Sequence, residues 1–255
     1  MILTQTGLAS HPEADWVSEA GYEALVLTVD TPVLGNRLNE RKAPLALPPN
    51  LHLANIEPAK TADTPRKPTF NRTLMDARTA QQASAIIKSE GASMHSSSLT
   101  WDTTLKALKE ITNMKIILKG IMCEDDADLA VAYGADAIVV SNHGGRQLDC
   151  TTSTLEMLPG IASRVRKRVP VIFDGGVRKG SDVLKAMCLG AEFVLVGRPA
   201  LWGLAYNGQK GVEISMNILE REFSRAMALV GATSVKDLGP HFLTRRQDIL
   251  EMAKL

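Results

Sequence analysis

Residues 137–141 form an apolar run that is followed at once by polar and charged side chains, which a hydrophobic core does not need. Asn142, His143, two glycines and Arg146 follow it. A histidine takes up a proton near neutral pH, and an arginine grips a carboxylate through two parallel hydrogen bonds. Because βα proteins collect their chemistry beyond the carboxyl ends of the strands, this loop is a candidate active-site loop.

Four other short apolar runs, at 24–30, 115–119, 171–174 and 193–196, also end in ionisable or hydroxyl groups. One such group is commonly a solvated loop residue, but groups at five successive strand exits favour a shared site. The exits carry Thr28, Asp30 and Arg37; Lys119; Ser141, His143 and Arg146; Asp174, Gly175, Gly176, Val177 and Arg178; and Gly197 and Arg198.

The last two exits, DGGVR at 174–178 and GR at 197–198, suit a phosphate group. Glycines expose backbone N–H groups at helix N-termini, arginines add positive charge, and the last βα loops of barrels often form such a site. Lys119 ends an apolar strand and would point a cation into the mouth of a barrel, where it suits the negative charge of a reduced flavin. The alternative interpretation is a lysine whose stem is buried and whose ammonium reaches solvent.

The elements that must position these groups alternate between strand and helix. Helical patterns are predicted at 13–20, 74–90, 99–111, 124–133, 154–166, 181–189 and 212–229. This order implies an α/β fold with a parallel sheet and helices outside it, of the (β/α)8 TIM-barrel type. Five strands fall short of the eight that close such a barrel, so the barrel is predicted to be incomplete.

Two segments lack a clear period. Residues 1–12 are interpreted as a loose lead-in, and 33–72 is an irregular, proline-rich connection. A connection that long inside a compact domain is usually a functional lid or a disordered segment.

Composition excludes several classes of function. The 255 residues carry a formal net charge of +1, which gives no global attraction to nucleic acid or to an anionic membrane. The basic run at 164–168 is interpreted as a solvated helix end. Three dispersed cysteines predict reduced thiols in an intracellular compartment, with no structural metal site.

Six motifs together resemble one family. They are TVDTPVLGNR (28–37), SLTW (98–101), LKGI (118–121), SNHGGRQLD (141–149), DGGVRKGSDV (174–183) and GRP (197–199). In this order they are similar to the FMN-dependent 2-hydroxy acid oxidases and dehydrogenases, which include glycolate oxidase, lactate oxidase and the flavin domain of yeast lactate dehydrogenase. The resemblance implies that residues 1–255 are a partial FMN hydroxy acid dehydrogenase domain with strands four to eight of the barrel. The family's first three strands, with their flavin-binding and substrate-binding side chains, have no counterpart in 1–12.

The resemblance also implies roles for the strand-exit residues. His143 would be the base that removes a proton as the substrate's α-hydrogen passes to flavin N5, and Asp30 would orient its imidazole. Arg37 and Arg146 would bind the carboxylate of a small 2-hydroxy acid. FMN contacts would fall on Thr28, Lys119, Ser141, Asp174, Gly175, Gly176, Val177, Arg178, Gly197 and Arg198.

Several alternatives stay open at this stage. Oxygen is favoured over a cytochrome as electron acceptor because no haem domain precedes the barrel. An FMN-dependent isomerase of similar barrel form, or an inactive remnant that does not bind FMN alone, would also account for parts of the pattern. The family further implies a homo-oligomer, commonly a tetramer. The C-terminal Ala253-Lys254-Leu255 resembles a peroxisomal address, with a plain helix end as the other interpretation.

Overall fold

The computed structural model describes residues 2–3, 19–37, 73, 77–79, 81–82, 85–86, 99–165 and 167–244. Its centre is one parallel sheet of six strands in the order β1-β2-β3-β4-β5-β6. The strands are β1 (Ile2–Leu3), β2 (Ala24–Thr28), β3 (Lys115–Ile121), β4 (Ala137–Val140), β5 (Val171–Phe173) and β6 (Phe193–Val194). The five predicted strands are all present. Because strand order follows chain order, each crossover places the next strand beside the last.

The first strand corrects the prediction that residues 1–12 are only a lead-in. Ile2 pairs with Val26 and Leu3 with Leu27, in parallel. Two residues are too few to show the alternation of apolar and polar residues that marks a strand, so only pairing with β2 identifies this one.

Helices cover one face of the sheet. They are α1 (Trp101–Ile111), α2 (Glu124–Ala132), α3 (Thr154–Val165), α4 (Gly180–Cys188) and α5 (Arg198–Val230), with 3-10 turns at His143–Gly145, Val235–Asp237 and Pro240–Phe242. The predicted helices at 99–111, 124–133, 154–166 and 181–189 are confirmed to within two residues in the part of the chain that is described. Residues 81, 82, 85 and 86 are helical inside the predicted 74–90 span, whereas residues 77–79 are not, so this helix is confirmed only in part. Most of the 13–20 and 74–90 helices, and 38–72 of the predicted lid, lie outside the described residues.

The last helix begins earlier than its predicted start at residue 212. It starts at Arg198, and non-helical dihedral angles at Asn207 and Gly208 divide it into two helical segments. A backbone φ of 55° at Gly208 is left-handed, so the break falls where glycine permits it. Only the second segment was predicted.

The core lies between the sheet and these helices. Leu27, Leu118, Ile138 and Phe173 have at most 2% exposure and are in one apolar cluster with α1 and α3 residues. Successive residues of a strand point to opposite faces, and Val26, Ile117 and Ile172 on the other face are only half-buried. The helix-covered face is therefore fully buried, whereas the opposite face is buried at Thr28, Val139 and Ser141 and only half-buried elsewhere.

Two further features bear on earlier expectations. Arg164 and Arg168 of the basic run both pair with Asp128 of α2, so this run ties α3 to α2. None of the helices in the described ranges has the length and apolarity needed to cross a bilayer.

Candidate active site

The parallel sheet brings the predicted residues to one edge. Thr28 pairs in register with Lys119, Lys119 with Val139, and Val139 with Ile172. Ser141 and Asp174 lie two residues beyond Val139 and Ile172. Because side chains alternate along a strand, all four polar residues share the face opposite the helix-packed core: Thr28, Lys119, Ser141 and Asp174.

A hydrogen-bonded histidine and aspartate stand at this edge. His143 Nδ1 lies 2.9 Å from Asp30 Oδ1, and the two side chains are 23% and 11% exposed. A carboxylate accepts hydrogen bonds, so Nδ1 is the donor and Nε2 keeps a lone pair that can accept a proton. The second Asp30 oxygen, Oδ2, is buried without a hydrogen-bond partner among the described residues.

The loop after β4 fixes the direction of His143. The His143 N–H donates to Ser141 Oγ at 3.1 Å, and the Gly145 N–H donates to the Asn142 side chain at 3.2 Å. His143 itself has φ 58°, in the left-handed region. The imidazole is therefore held by its backbone as well as by Asp30.

Gly120 makes room for Asp30. It has φ +116°, and a β-carbon placed on it would lie 2.7 Å from Asp30 Cβ. The pairing of β3 with β4 also shifts register between Lys119 and Ile121. Glycine is therefore required here both for the backbone angle and for the close approach of β2.

Lys119 is at the centre of a second polar group. Its Nζ donates to Ser141 Oγ at 2.9 Å and lies 3.4 Å from Asp174 Oδ2. The side chains of Lys119 and Asp174 are 15% and 16% exposed. The Lys119 ammonium is therefore paired with protein groups rather than projecting freely into solvent. Asp174 Oδ1 is buried and lacks a hydrogen-bond partner within the described part of the chain.

The two glycine-rich exits differ in their contacts. Gly175 and Gly176 have φ +105° and +74°, and a β-carbon on Gly175 would meet Thr154 Oγ1 at 2.6 Å. Val177 is buried, Arg178 is exposed, and α4 begins at Gly180. Arg198 opens α5 behind Gly197 and donates to the carbonyl of Gly144 in the histidine loop, a contact that no sequence motif predicted.

The two candidate carboxylate-binding arginines lie on adjoining loops. Arg37 is half-buried in the segment after β2, and Arg146 is exposed after the 3-10 turn. Gly35 sits so close to the second loop that a β-carbon on it would lie 2.4 Å from the Arg146 carbonyl oxygen. The backbones on which the arginines stand are thus in contact.

Sequence reasoning missed Gln147. Its side chain hydrogen-bonds three backbone groups between Asp30 and Gly35. The only available signal was its place inside the 141–149 motif, because nothing local shows which backbone a glutamine will reach.

Two further observations concern metal-binding clusters and a second groove. Within the described ranges, His, Cys, Asp and Glu side chains form no group of three that could hold a metal ion. A groove of about 1000 Å³ lies on the helix layer between α3, α4 and the 3-10 turn at 240–242. None of the strand-exit residues lines it, so it is separate from this edge.

Comparison with known proteins decides the family. The profile of the FMN-dependent dehydrogenases matches residues 13–245. The chain belongs to the FMN-dependent dehydrogenase family. It is 47% identical over 218 residues to a 2-hydroxyacid oxidase of Dictyostelium discoideum, covering 86% of this chain and 51% of that protein. It is 44% identical over 224 residues to an L-lactate oxidase of a Nostoc strain, covering 88% and 57%.

Solved structures of this FMN-dependent family extend the likeness to the fold. A mandelate oxidase with 3,3-difluoro-2-hydroxy-3-phenylpropionic acid has 36% identity and a TM-score of 0.66, over 88% of this chain and 57% of that one. A mandelate oxidase mutant with a C4a-OH-FMN adduct has 37% identity and a TM-score of 0.67, over 88% and 56%. The chain thus matches part of the TIM-barrel oxidase fold and spans about half the length of these relatives.

Proposed function

We propose that this protein carries the proton-transfer and FMN-phosphate part of an enzyme that oxidises a small 2-hydroxy acid to a 2-oxo acid. The observation that carries the proposal is the His143–Asp30 hydrogen bond beside the Lys119 group, on the open face of the sheet. Family membership supports FMN as the cofactor, and the likeness to an L-lactate oxidase supports oxygen as the acceptor. The relatives are about twice as long as the matched region, so turnover by this chain is part of the proposal.

His143 is the proposed base. Its Nε2 lone pair takes a proton from the substrate, and the resulting imidazolium is stabilised by Asp30 through Nδ1. The Asp30 carboxylate supports this assignment because its hydrogen bond to Nδ1 orients the imidazole and leaves Nε2 as the proton acceptor.

Arg37 and Arg146 are the proposed partners of the substrate carboxylate. Guanidinium groups bind carboxylates through paired hydrogen bonds, and the contact between the two loops brings both arginines to the His143 side of the edge. A 2-hydroxy acid bound this way would present its carbinol carbon and hydroxyl to the base.

The residues around Lys119 fit FMN. Its ammonium group, Thr28 and Ser141 are donors beside the open face, and Asp174 Oδ1 is a buried acceptor that still lacks a partner among the described residues. Gly175 and Gly176, which have left-handed backbones, precede α4 together with Val177 and Arg178. Gly197 and Arg198 lie at the start of α5. Backbone N–H groups and arginines at such helix starts bind phosphate. FMN, when bound, supplies the two-electron acceptor that these residues lack.

The direct test is to load the full chain with FMN and mix it with glycolate, lactate or mandelate without oxygen. We expect loss of the visible absorption of oxidised flavin, then one hydrogen peroxide per 2-oxo acid after air is admitted. His143→Gln should bind FMN equally but reduce it at least a hundredfold more slowly. Failure to retain FMN would show that the chain does not form the site by itself, and FMN retention without reduction would overturn the proposed reaction.

We also propose peroxisomal targeting through Ala253-Lys254-Leu255, which lies outside the described residues. Its support is the likeness of the tripeptide to the small-basic-leucine address. A fluorescent protein fused ahead of this chain should collect in peroxisomes, and the same fusion lacking residues 253–255 should not. Diffuse fluorescence from both would refute the targeting.

A further inference from the structure

Gln147 joins two strand exits that the sheet leaves unconnected. Its Nε2 donates to the carbonyl of Val33 at 2.9 Å and to that of Asp30 at 3.2 Å. Its Oε1 accepts from the Gly35 N–H at 3.2 Å. One amide side chain thus satisfies three backbone groups on a segment 112 to 117 residues away in sequence.

Strand pairing does not connect the exits of β2 and β4. β2 pairs with β3, and β3 with β4, so β2 and β4 are not neighbours. Two strand spacings separate them by about 9.5 Å. The residues after β2 and those after β4 must therefore meet through contacts beyond the sheet.

Close backbone packing accompanies the amide contacts. A β-carbon on Gly35 would lie 2.7 Å from Gln147 Cα, in addition to its clash with the Arg146 carbonyl. The segment from 30 to 35 carries Asp30 at one end and leads to Arg37 at the other. The loop that Gln147 belongs to carries His143 and Arg146.

We propose that Gln147 is a positioning residue that sets Asp30 against His143. By fixing the carbonyl of Asp30 and the turn behind it, the amide holds the Asp30 carboxylate where His143 Nδ1 can donate to it. The same contacts fix the separation between the backbones of Arg37 and Arg146. The consequence for catalysis rests on the proposed function, whereas the coupling of the two loops does not.

The chemistry of the amide accounts for the residue type. Two carbonyls need donors and one N–H needs an acceptor, and a glutamine side chain offers both. Gln147→Glu keeps the acceptor and removes the donors. Gln147→Met keeps the length and removes both.

The test follows the hydrogen bond between His143 and Asp30 in the full chain without flavin. In uniformly ¹⁵N-labelled protein, we expect a His143 Nδ1–H that is protected from solvent exchange. Gln147→Met should speed its exchange, and that of the Gly35 N–H, by about three- to tenfold. Gln209→Met, which removes an exposed amide contact to Glu213 on α5, is the matched control and should change neither.

Gln147→Glu distinguishes the loss of the two donated hydrogen bonds from a general folding defect in Gln147→Met. It should leave the Gly35 N–H protected and still speed exchange at His143, which general destabilisation would not do. Equal protection of His143 in wild type and both variants would overturn the inference. Because this measurement needs no flavin, it stands if the chain fails to oxidise 2-hydroxy acids. Unchanged turnover in Gln147→Met would contradict the positioning role of Gln147 but not the proposed oxidation of 2-hydroxy acids.

Discussion

His143 occupies a strained backbone position. Its φ of 58° is left-handed, a region that costs a residue with a side chain about 1–3 kcal/mol. The Ser141 hydroxyl and the Asp30 carboxylate hold it there through one hydrogen bond each. Such strain persists only where the surroundings over-determine it, which is typical of functional sites.

Gly120→Ala tests the close approach between β3 and Asp30. The new methyl group would lie 2.7 Å from Asp30 Cβ, so overpacking adds to the cost of the left-handed backbone. We expect Gly120→Ala to lose about 1–3 kcal/mol more unfolding free energy than Gly21→Ala in urea titrations. Gly21 has φ +84° and open space around it, which makes it the matched control. Equal losses would mean that Asp30 moves aside freely.

Arg146→Met tests the carboxylate-binding role and separates an oxidase from an isomerase-type barrel. Losing charge-assisted hydrogen bonds to a bound carboxylate should raise KM, or the Kd of the 2-oxo acid product, about ten- to a hundredfold. Arg178→Met removes an exposed arginine from the proposed phosphate loop and should weaken FMN instead. An unchanged KM in Arg146→Met would favour the isomerase alternative.

At the scale of elements, Asp136 joins the start of β3 to the turn before β4. Its carboxylate accepts from the Ile116 N–H and from Lys115 Nζ, both at 2.9 Å. Burial by itself raises the pKa of Asp136, but these hydrogen bonds, together with the charges of Lys115 and Lys109, outweigh burial and hold the pKa below its ordinary value. The folded state therefore favours the ionised form.

Asp136→Asn should lower the unfolding free energy by about 1 kcal/mol at pH 7. A depressed folded pKa stabilises the protein above the unfolded value of about 3.9, and this contribution disappears as pH falls through the folded pKa. The difference between wild type and Asp136→Asn in urea titrations should therefore shrink below about pH 4. A difference that is constant from pH 7 to pH 3 would contradict the pKa shift.

At the scale of the whole molecule, the sheet formed by the described residues ends at β1 on one side and at β6 on the other. Phe193 and Leu195 beside the β6 end are 61% and 44% exposed, and Leu201 and Trp202 at the start of α5 are 61% and 70% exposed. Unpaired strand edges and apolar surface of this kind promote association.

We therefore expect the purified chain to self-associate through β6. Sedimentation should give a mass above 27.6 kDa that rises with concentration, and Phe193→Lys should shift it toward that value, because a charged edge opposes strand pairing. Leu229→Lys, at a leucine near the end of α5 that is 82% exposed, should have little effect. A single 27.6 kDa species at all concentrations would contradict the expectation.

Much of this organisation was predictable because its signals are local. Each of the five strands from β2 to β6 is a short apolar run, and the polar residues that follow indicate where each strand ends. Six motifs in order, above all the one from Ser141 to Asp149 followed by DGGVR at 174–178, predicted the family. Most boundaries moved by a few residues, but the first segment of α5, from Arg198, was not predicted, and β1 was missed because a two-residue strand is identified only by its pairing.

The sequence by itself determined the fold class, the family and the residues at the strand exits, since period and residue type are written along the chain. The family resemblance implied that Asp30 meets His143, but only the tertiary structure decided the contacts that bring the exits together. Asp30 reaches His143, and Gln147 reaches the turn behind Asp30, across a strand that separates β2 from β4. Likewise Lys119 is held by Ser141 and Asp174, while Arg198 turns to Gly144. These contacts depend on strand register and on backbone approach at Gly35 and Gly120, which no local pattern encodes.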